Sequence, residues 1–272
     1  MSDATGRAEP DRLAGKQAVV TGSSRGIGQA IAIQLAAAGA DVLIHGGSNR
    51  RAAEETAHRI QRMGRRSGVV VQDLADAGRH DAFVTRAWQW AGDTVHIWVN
   101  NAGADVLTGA AAQLSFEEKL ERLWRVDGCA TIGLGRRVGH RMRDANRVGD
   151  GVILNMGWDR AEVGLGGDSG EMFAAVKGAI MAFTKSLAKS LAPAVRVNCL
   201  APGWIRTAWA TTAPAYWQRR ACRESLRDRW GLPEDVARAA CFLVAPQADY
   251  ITGQILAING GFRDADIAPS QS

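Results

Sequence analysis

Gln17-Ala18-Val19-Val20-Thr21-Gly22-Ser23-Ser24-Arg25-Gly26-Ile27-Gly28 is the stretch that decides the fold of this 272-residue chain. Its first half is a short apolar run of strand character, and the residues that follow predict a helix over 26–38. Gly22, Gly26 and Gly28 lie at the junction. Glycine lets the backbone turn tightly and brings N–H groups against phosphate oxygens, and a helix N-terminus adds a favourable dipole. A glycine-rich turn alone says little. One set between a first strand and a first helix predicts a nucleotide site.

The same alternation continues in both directions. Runs rich in Val, Ile and Leu at 17–21, 42–45, 68–71, 95–99, 152–155, 194–198 and 254–258 predict seven short buried strands. Helical patterns fall between them at 26–38, 51–63, 79–91, 116–143, 172–191 and 234–243, with Pro233 just ahead of the last. This order predicts one α/β domain over 13–263, a doubly wound, seven-stranded parallel sheet of Rossmann-like form. Residues 1–12 and 264–272 read as disordered tails.

Composition narrows the classes. A hydrophobic fraction of 46% with 22% charged residues suits a soluble globular protein. The net charge of +5 gives either a field that attracts phosphorylated ligands or an ordinary solvated surface. Arg65-Arg66, Arg136-Arg137 and Arg219-Arg220 are isolated pairs, too sparse for a nucleic-acid partner. Cys129, Cys199, Cys222 and Cys241 lack zinc spacing, so no metal is expected and a reduced cytoplasmic protein is the simplest account. Asp3, Glu9 and Asp11 argue against a secretory signal, and no apolar stretch approaches membrane-spanning length.

In a doubly wound sheet, ligands sit beyond the carboxyl ends of the strands. Three further motifs fall at that edge: Asp73-Leu74 after the third strand, Asn100-Asn101-Ala102-Gly103 after the fourth, and Pro202-Gly203-Trp204-Ile205-Arg206-Thr207 after the sixth. Together with Thr-Gly-x-x-x-Gly-x-Gly at 21–28, they resemble the short-chain dehydrogenase/reductase family, including its 3-oxoacyl-[acyl-carrier-protein] reductase-like members. The resemblance covers nearly the whole chain. It implies a nicotinamide dinucleotide held at Gly22, Ser24, Arg25, Gly26, Ile27 and Gly28, at Asp73 and Leu74 for adenine, and at Asn101, Ala102 and Gly103. Lys177 would hold the nicotinamide ribose, and Pro202, Gly203, Ile205 and Thr207 the nicotinamide end. A homodimer or homotetramer is implied too.

An acidic residue ending the second strand would bind the ribose hydroxyls of NAD and repel a 2′-phosphate. Here that segment reads His45-Gly46-Gly47-Ser48-Asn49-Arg50-Arg51, without a carboxylate. Arg25 and Arg50 can meet a 2′-phosphate through charge-assisted hydrogen bonds, so NADP(H) is expected over NAD(H). Arg50 and Arg51 also fit a solvated helix start.

The reaction centre departs from the family. The resemblance implies Asn, Ser, Tyr and Lys at four positions occupied here by Asp127, Trp158, Phe173 and Lys177. Phe173 and Lys177 stand four apart on one helix face, the aromatic having a ring but no hydroxyl. A positioned general acid contributes roughly 10²–10⁴ in rate and an oxyanion donor about 10²–10³ more. Neither Trp158 nor Phe173 can protonate an alkoxide.

One expectation is therefore an oxidoreductase acting on a carbonyl, alcohol or enone with a different acid: Asp127, Asp159, Asp168 or Glu171. Asp127 should point toward Lys177, and it fits simple pairing with that lysine equally well. Asp159 and Asp168, flanking a glycine-rich loop, read as surface-solvated, and Glu171 as a helix N-terminal charge. Other expectations are a catalytically inactive nucleotide-binding or regulatory protein, and a lyase or isomerase on the same scaffold. The lid, at about 204–231, interleaves Trp209, Tyr216, Trp217 and Trp230 with Arg206, Arg219, Arg220, Arg223, Arg227 and Arg229. That composition suits a planar or anionic small molecule, or an amphipathic helix packing its aromatics on the core. Trp158, Trp204 and Phe173 suggest a flat apolar chamber.

Overall fold

The computed structural model describes residues 12–92, 94–145 and 150–263, with the side chains of Trp209 and Thr212 excepted. The tails expected at 1–12 and 264–272 lie outside the described residues, apart from Arg12.

Seven strands form one parallel sheet in the order β3-β2-β1-β4-β5-β6-β7. They are β1 (Gln17–Val20), β2 (Asp41–Gly46), β3 (Ser67–Val71), β4 (Ile97–Asn100), β5 (Gly151–Met156), β6 (Val195–Pro202) and β7 (Ile255–Ile258). Each of the seven apolar runs became a strand. The register places Val19 of β1 between Leu43 of β2 and Trp98 of β4. Those three side chains share one face, while Val20, Ile44 and Val99 beside them point to the other. Both faces are covered, which is why the strands read as continuous apolar runs rather than alternating ones.

Helices α1 (Gly26–Ala37), α2 (Arg50–Gln61) and α9 (Pro233–Val244) build one layer, contributing Ile31, Leu35, Ala57, Ile60, Val236 and Leu243 to its core. The opposite layer is α3 (His80–Ala91), α5 (Ala130–Asp144) and α6 (Asp168–Leu191), with Phe83, Leu134, Val138 and Leu187 buried against Trp98 and Ile153.

The single long helix expected over 116–143 is not uniform. α4 (Phe116–Leu123) passes into a π-helical turn at Trp124–Cys129 before α5 begins. Such wide turns re-aim side chains inside helices and cluster at functional sites. This one carries Asp127, which is 2% exposed. Between β6 and α9 the chain forms two short helices, α7 (Ala208–Thr212) and α8 (Ala215–Glu224). Both fall within 204–231, the segment expected as a lid.

Candidate active site

The glycine turn is held from below. Thr21 Oγ1 accepts from the backbone N–H of Asn101 and Ala102, at 2.9 and 3.0 Å. Asn101 Nδ2 returns the tie to the Thr21 and Gly22 carbonyls. Gly22 has φ +63°, and a Cβ there would sit 2.8 Å from Ala102 Cα, so only glycine fits. A Cβ at Gly28 would collide with the Gly22 carbonyl and Asn101. Past this turn, α1 starts at Arg25, whose backbone is extended and whose side chain caps nothing; no acidic residue occupies the first turn. The first N–H groups of α1 therefore lack a capping side chain, an arrangement that fits a phosphate. Thr207 faces the turn, its Cγ2 4.0 Å from where a Gly26 Cβ would stand.

His45 completes the cradle, a role that no local pattern announces. Its ring is 1% exposed and stacks against Phe83 at 5.0 Å. The Gly22 N–H donates to Nδ1 at 3.1 Å, which makes Nε2 the protonated nitrogen, donating to the Gln72 carbonyl at 2.9 Å. Burial, partly opposed by that backbone bond and by the Asp73 charge, pushes the ring down to about 4. A neutral His45 thus fixes Gly22.

The remaining sequence-chosen positions line the same edge with unequal exposure. Asp73 is exposed and accepts from Ala75 N–H, while Leu74 is buried in the core, so its side chain faces away from any ligand. Asn49 caps α2 by accepting from Ala52 N–H. Arg50 pairs with Glu54 at 3.4 Å, both exposed. Pro202 and Ile205 are buried, whereas Gly203 and Thr207 are half-buried at the rim.

Lys177 and Asp127 meet as an ion pair. Lys177 Nζ lies 2.7 Å from Asp127 Oδ2, and Asp127 Oδ1 accepts from Ala104 N–H at 2.7 Å. Gly103 makes room, since a Cβ there would stand 2.9 Å from the carboxylate. The lysine, 8% exposed, also approaches the Met156 carbonyl at 3.4 Å. Of the two roles read for Asp127, the pairing is what the geometry shows. Its two oxygens are engaged by Lys177 and by Ala104 N–H. Trp158 and Phe173 pack against each other at a tilt, with ring centroids 6.1 Å apart and planes at 59°. Burial pushes the nearby Cys199 thiol up to about 12, which makes it inert.

One expectation needs correction. Asp159 is not surface-solvated: it is half-buried, Oδ2 accepts from Asn259 Nδ2 at 3.2 Å, and Oδ1 is enclosed without a hydrogen-bond partner. Burial raises its carboxyl above the usual range, against the pull of Asn259 and Arg160. Asp168 and Glu171, by contrast, are exposed as read.

In the segment at 204–231, read in two ways, aromatics and arginines satisfy one another. Trp204 packs against Trp217 and Trp230 at 5.5 and 5.9 Å. Glu224 accepts from Arg160 at 2.5 Å, Arg220 at 2.7 Å and Trp204 Nε1 at 2.8 Å. Burial would raise its carboxyl, but these bonds and the two guanidinium charges hold it below the usual range. Arg229 is taken by Asp235 at 2.8 Å. The lid is thus latched to the loop after β5, and Arg220 and Arg229 are already neutralised.

Residues 22–263 match the family model described as Enoyl-(Acyl carrier protein) reductase. The chain is 35% identical over 257 residues to 3-oxoacyl-[acyl-carrier-protein] reductase FabG of Aquifex aeolicus, covering 92% of this chain and 98% of that protein. It is 34% identical to 3beta-hydroxysteroid dehydrogenase 1 of Eggerthella lenta, over 92% and 95% of the two chains. A short-chain dehydrogenase from Burkholderia cenocepacia, solved in complex with NADP, superposes with a TM-score of 0.81 at 32% identity, over 92% of this chain and 98% of that one. With its parallel seven-stranded sheet and glycine turn, the chain belongs to the short-chain dehydrogenase/reductase family of nicotinamide-dependent oxidoreductases.

Proposed function

We propose that this protein is an NADP(H)-dependent reductase of a carbonyl or enone compound, working without the hydroxyl pair usual in its family. In this reading Trp158 and Phe173 occupy the places of the family's Ser and Tyr, and Asp127 that of its Asn. The observation that carries it is the buried Lys177 ammonium, fixed 2.7 Å from Asp127 at the carboxyl edge, beside an uncapped helix N-terminus. A cationic group held there at a structural cost has a purpose if it grips a ribose.

The chain's own groups divide the work. Gly22, Ser24, Gly26, Ile27 and Gly28 offer backbone to the pyrophosphate, and Arg25 and Arg50 meet the 2′-phosphate; the Arg50–Glu54 pair is exposed and weak enough to open. Asp73 borders the adenine, Asn101 to Gly103 the adjoining ribose, and Pro202 to Thr207 the nicotinamide end. When bound, the cofactor supplies hydride. Trp158 and Phe173 exclude water and favour a flat substrate, and the Glu224 latch favours an uncharged one, because it consumes the nearby Arg160 and Arg220 charges.

Calorimetry with NADPH and NADH tests the cofactor reading: NADPH should bind at least about tenfold tighter, about 1.4 kcal/mol, and equal affinities refute the preference. Loss of NADPH absorbance with a panel of ketones and enones tests the activity. A second reading, a nucleotide-binding regulator, is favoured by Asp127 accepting on both oxygens. Tight NADPH binding without consumption across that panel would select it, or a lyase or isomerase use of the scaffold.

A further inference from the structure

Beyond β5, β6 and β7, three loop starts converge on one carboxyl group. Asp159 N–H donates to the Pro202 carbonyl at 3.3 Å, and Asn259 Nδ2 donates to Asp159 Oδ2 at 3.2 Å. Gly203 leaves room for that oxygen, since a Cβ on it would stand 2.9 Å away. The other oxygen, Oδ1, is enclosed and has no hydrogen-bond partner. A bare anionic oxygen so placed would forfeit its hydration without replacement, whereas a protonated carboxyl loses far less. Burial accordingly favours the acid form, outweighing Asn259, the Arg160 charge and the local N–H groups.

The charged neighbours do not cancel this. Arg160 is turned to Glu224 at 2.5 Å and lies over the Phe262 ring at 3.9 Å. Glu224 is in turn held by Arg220 and Trp204. The other acids sit differently: Asp127 is engaged on both oxygens by Lys177 and Ala104 N–H, and Asp168 and Glu171 are exposed. Asp159 follows Trp158 in the chain, and its Oδ2 packs beside Gly203, in the segment read for the nicotinamide end.

We propose that Asp159 is the proton donor of this site, carrying its proton in the resting protein and giving it to the oxygen of the carbonyl substrate. This rests on the carbonyl reduction proposed above. A new C–H bond forms from hydride delivered by reduced nicotinamide, which is oxidised by two electrons. The C=O π pair passes to oxygen, which takes the Asp159 proton; the acid O–H bond breaks and leaves a carboxylate held by Asn259. Its half-exposed edge returns the proton from water. Rotation about the broad, two-fold χ2 torsion exchanges the two oxygens and brings the proton out from the enclosed side.

Two measurements test the assignment. In cofactor-free protein carrying carboxyl-labelled aspartate, carbon NMR should show one carboxyl still protonated above the ordinary range near about 4, and absent in Asp159→Asn. In the turnover assay, Asp159→Asn should lower kcat by roughly 10²–10⁴ while leaving NADPH affinity and thermal melting close to those of the parent, because the amide keeps an oxygen for Asn259. A resonance that titrates with ordinary aspartates overturns the assignment, as does consumption that survives Asp159→Asn. No consumption by the parent protein overturns the carbonyl reading and the donor role together, which separates the two failures.

Discussion

Acidification should release the glycine turn through one residue, His45. In the folded chain its Nδ1 accepts from Gly22 N–H, and burial pushes the ring from 6.5 down to about 4. The unfolded ring keeps the ordinary value, so the neutral form is what folding favours. That stability is fully present above the unfolded value and is lost as pH falls from about 6.5 toward 4. At pH 5 the unfolded ring is almost wholly protonated and the folded ring almost wholly neutral. Going from pH 7 to pH 5 then costs about 2 kcal/mol through this group alone. For a domain of this size that is a fall of roughly 4–8 °C in Tm. His45→Asn isolates the effect. The asparagine oxygen can still accept from Gly22, but the Gln72 carbonyl loses its donor, a fixed penalty of about 1–3 kcal/mol. Thermal melts of both proteins at the two pH values should show the parent clearly more stable at pH 7 and the gap closing by about 2 kcal/mol at pH 5. Other titrating groups drop out of the difference. Parallel pH slopes in the two proteins would refute the reasoning.

The catalytic and cofactor regions give three further expectations. Asp127→Ala strands the buried Lys177 and should cost about 3–5 kcal/mol in chemical denaturation, whereas Asp127→Asn, which keeps an acceptor for Lys177, should cost distinctly less; equal losses would argue against a charge pair that matters. Gly28→Ala drives a methyl into the Gly22 carbonyl and Asn101, so calorimetry should show NADPH affinity abolished, with about 1–3 kcal/mol of stability lost. Phe173→Tyr combined with Trp158→Ser places a second acid and a hydroxyl beside Lys177, so in the Asp159→Asn background it should restore carbonyl reduction by roughly 10²–10⁴. No gain would mean that the chamber excludes a carbonyl from that spot.

What could be read in the sequence depended on how far apart the partners lie along the chain. The central strands announced themselves because both of their faces are covered, so residues such as Val42, Leu43 and Ile44 are apolar in succession whichever layer they meet. The phosphate turn was equally open to reading: strand, glycines and helix start are contiguous, and the physics that needs them is local. Lys177 and Asp127 lie 50 positions apart, yet helical spacing placed one and the other was placed by resemblance, so their pairing was foreseen as one of two outcomes. His45 was not foreseen. A lone histidine ending a strand means nothing until Gly22, Gln72 and Phe83 enclose it. Asp159 was misread for the same reason, since the glycines after it predict solvent, while Asn259, the residue that closes over it, comes a hundred positions later. Glu224 is the third instance, its acceptor role fixed by Arg160 from 64 positions earlier, beyond α6 and β6. These three groups share a property that local pattern cannot carry. Each is a polar side chain whose protonation is decided by burial or by bonded partners, and both are assembled only when segments after separate strands meet at one edge. In a doubly wound sheet that edge is also where ligands bind, so the residues most hidden from sequence reading are the ones whose chemistry the fold can tune.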